Sequence, residues 1–261
     1  MPIHITRWGQ TGPRVVFVHG SAQGSQVGGD GHFSAQQPMA NGRWQLIVPD
    51  RPGHGRSRSR GYPDDAELDA DWVSDLLDDG AHLVGHSFGA CVALAAASKR
   101  PSAVRSLTLI EPGMHILATG AKSVRRFGLQ MLLVKHFSVS AASRARRFAR
   151  LVGIPPEIAD SKSSAELSRM GQGITRLRLP SKDTLQRQLQ AISREGIPLL
   201  VVSGGWNPAF EATADTVASL GSGRRWVINS PHHFPHLVSD EFNQLLASFM
   251  QESGAKRPLP S

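Results

Sequence analysis

The sequence predicts an α/β fold in which a mostly parallel β-sheet is covered by helices on both faces. Two observations predict it: short β-branched apolar runs that each end in a polar turn, and helical patterns that lie between these runs. Short continuous apolar runs are typical of strands buried on both sides of a parallel sheet. Strands that alternate with helices indicate an open sheet with a helical layer on each face.

Six apolar runs are predicted to be the parallel strands of this sheet. In order they are residues 14–18, 45–48, 81–84, 106–110, 198–202 and 225–228. Residues 3–8 are predicted to form an earlier, antiparallel edge strand, because Gly9 and Gly12 can turn the chain back. Each parallel run is followed by polar residues, so the loops at one edge of the sheet carry the candidate functional side chains.

Helical patterns occupy the intervals between the strands. Residues 63–79 place apolar side chains on one face and acidic side chains in the first turns. Residues 88–100 are rich in alanine, and residues 240–251 are amphipathic. Residues 112–194 break the alternation, since they contain several helical segments interrupted by glycine and proline. The predicted organisation is a core of residues 1–111 and 195–254, an inserted helical lid at 112–194, and a tail at 255–261.

The composition is that of a globular protein and argues against several other classes. Apolar residues make up 40% of the 261-residue chain and charged residues 19%, unlike a disordered or fibrous protein. The single Cys91 excludes an internal disulfide framework and a thiolate metal cluster. No apolar run reaches the roughly 18 residues of a membrane span, and residues 1–7 lack the apolar core of a signal peptide. These features favour a cytoplasmic protein.

Basic residues are concentrated in the predicted lid. The chain carries a formal net charge of +8, and residues 121–190 alone hold 14 Lys and Arg against four Asp and Glu. A basic insertion can attract an anionic substrate, a nucleic acid or a membrane surface, but it is also typical of a solvated helical face, which we favour. No glycine-rich phosphate loop and no aromatic–basic interleaving supports nucleic-acid binding, and no cofactor or metal is predicted.

The segment Gly85-His86-Ser87-Phe88-Gly89 matches the pattern G-x-S-x-G between a predicted strand and a predicted helix. A tight strand-to-helix turn holds the central serine in a strained conformation and exposes its hydroxyl above the sheet. Glycines on both sides let the turn close without Cβ clashes. The pattern alone occurs by chance, but its position between strand and helix makes Ser87 the predicted nucleophile.

A serine hydroxyl is a poor nucleophile unless a neighbouring base takes its proton. Residues 232–236, with the sequence HHFPH, follow the last predicted strand and precede the last predicted helix. They therefore lie on a loop at the same edge of the sheet as Ser87. We predict that His233 is the general base and that His232 and His236 are ordinary loop histidines.

These motifs resemble those of the esterase-like α/β-hydrolases that carry a lid. Residues 17–21 (FVHGS) resemble the oxyanion loop of that family, and residues 50–57 (DRPGHGRS) resemble its turn after the next strand. Residues 85–89 resemble its nucleophile elbow, and residues 233–237 (HFPHL) its catalytic-histidine loop, although His232 stands where glycine is usual. The four motifs occur in the family's order, and the resemblance covers nearly the whole chain outside the lid. The resemblance implies an α/β-hydrolase fold and a serine hydrolase.

The resemblance also implies an oxyanion hole made of two backbone N–H groups. By position, these belong to Phe88, just after the nucleophile, and to Ser21, in the turn after the strand at 14–18. Residues 50–57 are expected to be structural rather than catalytic, with Asp50 accepting hydrogen bonds from backbone N–H groups.

The acid of the triad is missing from its usual place. Members of the family usually carry it after the strand at 198–202, where this chain has Asn207. A second location known in the family, the end of the preceding strand, is occupied by Glu111. The order Ser87, Glu111, His233 keeps the family's sequence of nucleophile, acid and base. We favour Glu111, and the alternative is an acid-free site in which Asn207 orients the imidazole.

Other residues near these motifs have smaller predicted roles. Glu211 and Asp215 are more distant candidates for the acid, because they fall in the helix after the loop. With the acid elsewhere, Trp206 and Asn207 are free to shape the substrate pocket or to pack beneath it. His86 is a further candidate to line that pocket.

The favoured function is hydrolysis of carboxylic esters or lactones through an acyl-enzyme. A glutamate after one strand with no acid after the next also resembles the zearalenone-lactonase branch of the family, so the expected partner is a small-molecule ester or lactone. Thioesterases, C–C hydrolases, perhydrolases and hydroxynitrile lyases share the same residues. The alternative class is a ligand-binding receptor that keeps the pocket but turns over little, which only the neutral Asn207 supports.

Overall fold

Seven β-strands form one mostly parallel sheet in the computed structural model, which describes residues 2–20, 22–41 and 43–256. The strands are β1 (Ile5–Trp8), β2 (Arg14–Val18), β3 (Gln45–Pro49), β4 (Ala81–His86), β5 (Val104–Ile110), β6 (Leu199–Ser203) and β7 (Arg224–Val227). Their spatial order is β1-β3-β2-β4-β5-β6-β7, with β1 antiparallel to β3 and the other neighbours parallel. The predicted parallel sheet with an antiparallel edge strand is confirmed.

Ten α-helices occur in this described part of the chain. They are α1 (Gly29–His32), α2 (Ala66–Leu76), α3 (Phe88–Lys99), α4 (Lys122–His136), α5 (Ala141–Leu151), α6 (Pro156–Asp160), α7 (Ser164–Arg176), α8 (Lys182–Arg194), α9 (Pro208–Leu220) and α10 (Glu241–Lys256). Strand residues such as Val16 and Leu83 pack with α2, α3, α8 and α9, whereas their neighbours Phe17 and Val84 pack with α10. Helices therefore cover both faces of the sheet, as the alternation of patterns predicts.

The helices within residues 112–194 fall into two packing groups. Helices α4, α5 and α7 share a separate apolar cluster with Phe210 of α9. Helix α8 instead buries Leu185, Leu189 and Ile192 in the cluster formed by the sheet and α3. Part of the predicted insertion therefore belongs to the layer that covers the sheet, and the division into core and lid stays a prediction.

Helix α10 continues to Lys256, so it includes the first two residues of the predicted tail. Residues 257–261, the rest of that tail, lie outside the described residues. Within the described ranges, every helix is too short or too polar to cross a membrane.

Eight histidines have a pKa that burial lowers below the ordinary value. They are His19, His32, His54, His82, His86, His115, His233 and His236. Desolvation is the largest cause at each one, because burial disfavours the charged imidazolium. Below the unfolded-state pKa of about 6.5, the unfolded chain binds more protons than the folded chain. The stability of the fold therefore decreases as the pH falls through this range.

We expect the free energy of unfolding to decrease steeply between pH 7 and pH 5. Each fully shifted histidine contributes up to about 1.4 kcal/mol per pH unit. Glu111 has a raised pKa, which acts in the opposite direction but offsets only one such group. Urea unfolding at a series of pH values measures the slope. His82→Leu removes an imidazole that bonds to Ser106 within the sheet. The unfolded variant then takes up about one proton fewer, so the decrease of the free energy of unfolding per pH unit should be smaller by that proton's contribution. A constant free energy of unfolding over this range would contradict the expectation.

Candidate active site

Ser87 occupies the tight turn between β4 and α3. Its backbone has φ +57° and ψ −119°, a conformation that residues other than glycine rarely adopt. A Cβ at Gly85 would lie 2.4 Å from the carbonyl oxygen of Gly89, and a Cβ at Gly89 would lie 2.1 Å from that of Val18. Glycines at both positions therefore let the turn close against β2, as the motif predicts.

Glu111, the first residue after β5, is fully buried and has a φ of +45°. Its Oε1 accepts a hydrogen bond from the backbone N–H of Gly204 at 2.6 Å. Its Oε2 accepts one from Trp206 Nε1 at 2.9 Å and lies 3.0 Å from His233 Nδ1. Burial raises the pKa of Glu111, and the bonds from Trp206 and Gly204 act against that rise. Because both groups can only donate, they favour the ionised carboxylate, which keeps the proton of a neutral His233 on Nδ1.

His233 lies in the loop after β7 and is 3% exposed. With its proton on Nδ1, the neutral imidazole has an unprotonated Nε2 that can accept a proton. Burial is the main cause that lowers the pKa of His233, and the nearby His232 lowers it further. The imidazole packs against the rings of His86 and Phe210, with centroids 4.6 and 4.7 Å away. These contacts hold the neutral imidazole in a fixed position.

Gly153, in the turn between α5 and α6, connects this part of the region 112–194 to the histidine loop. Its carbonyl oxygen accepts a hydrogen bond from the backbone N–H of His233 at 3.1 Å. Its φ is +67°, and a Cβ here would lie 2.6 Å from the ring of Trp206. Glycine is therefore the residue that fits this contact without a shift of the indole.

The loop after β6 supplies no acid to His233. Asn207 caps helix α9, where its Oδ1 accepts a hydrogen bond from a backbone N–H two residues further on at 2.9 Å. The carboxylates of Glu211 and Asp215 pair with Arg225. The partner of the imidazole Nδ1 is therefore the glutamate at the end of β5 rather than Asn207.

An apolar cleft of about 660 Å³, part of it open to solvent, is lined by both Ser87 and His233. Its apolar walls come from helices α4, α5 and α9 and from the segment that follows α7. They include Phe127, Met131, Phe148, Leu177, Leu179 and Phe210. His86 also lines the cleft. Trp206 and Asn207 do not; they border other surface grooves. Of the two predicted places for Trp206, in the pocket wall or beneath it, the structure has the second, with the indole bonded to Glu111.

The two predicted oxyanion donors are the backbone N–H groups of Phe88 and Ser21. Phe88 begins α3 directly after Ser87 and lines the cleft. Ser21 lies outside the described residues. The preceding Gly20 lines the cleft, and a Cβ there would lie 3.1 Å from the Cβ of Ser87, so the loop after β2 adjoins the nucleophile. The start of α3 beside Ser87 favours negative charge at this place.

His32, which no sequence motif indicates, supports His86 next to the nucleophile. His86 Nε2 donates to the carbonyl oxygen of His233 at 2.8 Å, so His86 Nδ1 accepts a hydrogen bond from His32 Nε2, also at 2.8 Å. Together with His236 they form a group whose nitrogens lie within 4.8 Å of one another, a spacing that a metal ion can use. Two of these nitrogens already share a proton, however, which fits a hydrogen-bonded imidazole pair better than a metal centre.

Asp50 has the structural role that its position after β3 predicts. Its Oδ1 accepts a hydrogen bond from the backbone N–H of Gly29 at 2.8 Å, and its Oδ2 accepts one from that of Arg56 at 2.9 Å. The carboxylate therefore fastens two loops to the end of the strand.

Arg51, the next residue, is fully buried and joins three loops around the cleft. Its guanidinium pairs with the carboxylates of Asp64 and Asp69 and donates to the carbonyl oxygen of Gly20 at 3.0 Å. The same group lies 4.5 Å from the ring centroid of Phe88. Arg51 thus holds the loop after β2 and the first residue of α3, the two elements predicted to supply the oxyanion donors. The sequence did not indicate this role, because the two carboxylates meet the guanidinium only in the folded chain.

A serine at an elbow, a buried histidine and a buried glutamate around one apolar cleft are typical of α/β proteins that act as hydrolases. Comparison with known proteins agrees with this class. Residues 15–245 match the model of the alpha/beta hydrolase family, so the chain belongs to that family. The family resemblance drawn from the four sequence motifs is confirmed.

Three individual proteins that match this chain are each less than 30% identical to it. Lipase LipV of Mycobacterium tuberculosis is 29% identical over 179 residues, which are 66% of this chain and 64% of LipV. The chain thus spans less than two thirds of the length of the first curated relatives that it matches. Two solved structures share the fold. The meta-cleavage product hydrolase CumD is 18% identical, and the match covers 96% of this chain and 94% of CumD with a TM-score of 0.71. The N-acyl homoserine lactonase AidH is 19% identical, and the match covers 96% of this chain and 93% of AidH with a TM-score of 0.70.

Proposed function

We propose that this protein is a serine hydrolase that cleaves carboxylic esters or lactones through an acyl-enzyme. The observation that carries the proposal is the 3.0 Å contact between Glu111 Oε2 and His233 Nδ1, beside a cleft that Ser87 also lines. A neutral His233 with its proton on Nδ1 has Nε2 available to take the proton of Ser87. A relative named as a lipase also favours an ester bond.

The proposed reaction has two steps that share one base. Ser87 Oγ attacks the carbonyl carbon while His233 Nε2 takes its proton, and the resulting oxyanion is held by the N–H groups of Phe88 and, by its place in the sequence, Ser21. The C–O bond then breaks, and His233 returns the proton to the leaving alcohol oxygen. Water, deprotonated by the same imidazole, attacks the acyl-enzyme and releases the acid and the free serine. Glu111 keeps the imidazole in the correct tautomer and stabilises the imidazolium.

The apolar cleft favours substrates with an apolar acyl or alcohol group. Phe127, Met131 and Phe148, which all come from the region 112–194, form part of its wall. We therefore propose that the inserted helices set the choice of substrate. A ligand-binding receptor is less well supported, because its only support was a neutral residue at the usual acid position, and His233 has a carboxylate partner.

Active-site labelling tests this proposal directly. A fluorophosphonate probe should label the wild-type protein once per chain, because it reacts with an activated serine. Ser87→Ala should give no label and should lose hydrolysis of short-chain p-nitrophenyl esters. If the wild-type protein neither reacts with the probe nor cleaves these esters faster than Ser87→Ala, the enzyme proposal is wrong.

A further inference from the structure

His115 is a polar side chain that lines the apolar cleft but has no part in the proposed hydrolysis. It begins a short 3-10 turn four residues after Glu111 and is half-buried. Its ring packs against Phe127 and Phe210, with centroids 4.5 and 4.6 Å away. Since Phe210 also contacts His233, His115 is separated from the proposed general base by one aromatic ring.

The hydrogen bonds of Thr213 fix the tautomer of His115. The Thr213 hydroxyl donates to the carbonyl oxygen of Ala209 at 2.7 Å, because a carbonyl can only accept. A hydroxyl has a single proton. The 2.8 Å contact between Thr213 Oγ1 and His115 Nδ1 must therefore be donated by the imidazole. In the neutral ring the proton is on Nδ1, and Nε2 carries a lone pair.

Nε2 of His115 is an unused acceptor. No described residue donates a hydrogen bond to it, since the polar contact of the ring is the one made by Nδ1. Nε2 is also not fully shielded from solvent, and His115 lines the cleft, so we take Nε2 to be within reach of a molecule bound there. Burial is the main cause that lowers the pKa of His115 to about 3, so the ring stays a neutral acceptor near neutral pH.

We propose that His115 Nε2 is a specificity site that accepts a hydrogen bond from a hydroxyl or amide N–H group on the cleft-bound part of the substrate. The inference rests on the proposed function and narrows its substrates to esters or lactones whose apolar group carries one such donor. A keto or ether oxygen at the same place could not bond to Nε2, because both atoms are hydrogen-bond acceptors. A fully apolar group would leave Nε2 unpartnered once water is expelled from the cleft.

Matched p-nitrophenyl esters test this site. Each pair has the same acyl chain with and without one hydroxyl, which is moved along the chain from one pair to the next. A second series carries an amide N–H in place of the hydroxyl, with the N-methyl amide as its control, so that the two kinds of donor are distinguished. The wild-type protein should favour at least one donor-bearing ester over its matched partner by about 10- to 100-fold in kcat/KM.

Thr213→Val separates hydrogen bonding from packing. Valine has nearly the shape of threonine but leaves Nδ1 without an oxygen partner, so the imidazole proton moves to Nε2, where a ligand or water can accept it. The preference for the amide N–H over its N-methyl control should then be lost, because an N–H cannot accept from Nε2, and keto esters should gain on the matching hydroxy esters by about tenfold. His115→Phe preserves an aromatic ring between Phe127 and Phe210 but has no acceptor nitrogen. In this variant the kcat/KM of a hydroxy ester should be close to that of its matched plain ester.

The outcomes separate this inference from the proposed function. Equal kcat/KM within every pair, together with Ser87-dependent hydrolysis of the plain esters, would overturn the specificity site and leave the hydrolase standing. A donor preference that is the same in wild type, Thr213→Val and His115→Phe would overturn its assignment to His115. If no ester is cleaved in a Ser87-dependent way, both proposals are wrong.

Discussion

Replacing Glu111 by glutamine is expected to lower kcat for ester hydrolysis by about four orders of magnitude. The carboxylate faces the N–H groups of Gly204, Trp206 and His233, whereas glutamine has one accepting end and one donating end. If the amide NH₂ takes the position of Oε2, it forces the proton of His233 onto Nε2 and the base is lost. If it takes the position of Oε1, it faces the N–H of Gly204. In both orientations the charge that stabilises the imidazolium is gone.

Steady-state kinetics on a short-chain p-nitrophenyl ester measure this effect, with Ser87→Ala as the background rate. Asn207→Ser is the matched control in the loop that usually carries the acid. Serine keeps the cap of α9, and position 207 neither lines the cleft nor contacts His233, so kcat should stay within about twofold. Full activity in Glu111→Gln would remove Glu111 from the mechanism, and a large loss in Asn207→Ser would implicate the loop after β6.

Arg51→Met is expected to lower the free energy of unfolding by about 3–5 kcal/mol. The side chain of Arg51 is 0% exposed, and those of Asp64 and Asp69 are 1% and 2% exposed. Removing the guanidinium leaves two buried carboxylates without their cation and the carbonyl oxygen of Gly20 without its donor. Breaking a buried ion pair from one side costs more than the pair contributes, because the remaining charge stays desolvated.

Urea unfolding near neutral pH measures this loss. Lys99→Met is the comparison, because Lys99 also pairs with two carboxylates, Asp71 and Glu67, but at the surface. Exposed ion pairs contribute about 0–1 kcal/mol. A loss in Arg51→Met as small as that in Lys99→Met would show that the buried cluster does not stabilise the fold.

The sequence predicts those parts of the molecule that depend on local pattern. The strands follow from short apolar runs, and the turn at Ser87 follows from two glycines at a strand-to-helix junction. Glu111 is favoured over Asn207 by the family resemblance, which implies a second place for the acid at the end of this strand, and the structure brings its carboxylate to His233. The chemical roles of these residues remain proposals that the variants above test.

Other features depend on contacts between distant segments, which no local pattern encodes. Arg51 meets Asp64 and Asp69, which lie 13 and 18 residues further along the chain, only in the folded protein. The sequence leaves Trp206 either to shape the pocket or to pack beneath it, and in the structure its indole N–H donates to the buried carboxylate of Glu111, since a buried donor needs a partner. The tautomer of His115 is set by Thr213, which lies 98 residues further along the chain.

The hydrogen bond between the carbonyl of Gly153 and the backbone N–H of His233 limits how the protein can be re-engineered. Replacing the predicted lid by that of another family member would bring new side chains to the cleft, but it would also replace the carbonyl that holds the backbone of His233. The turn between α5 and α6 should therefore be kept when lids are exchanged, with glycine at its centre to make room for the indole. Under the proposed function, exchanging the predicted lid is therefore expected to change the rate of hydrolysis as well as the choice of substrate, because the turn that bonds to His233 lies within it.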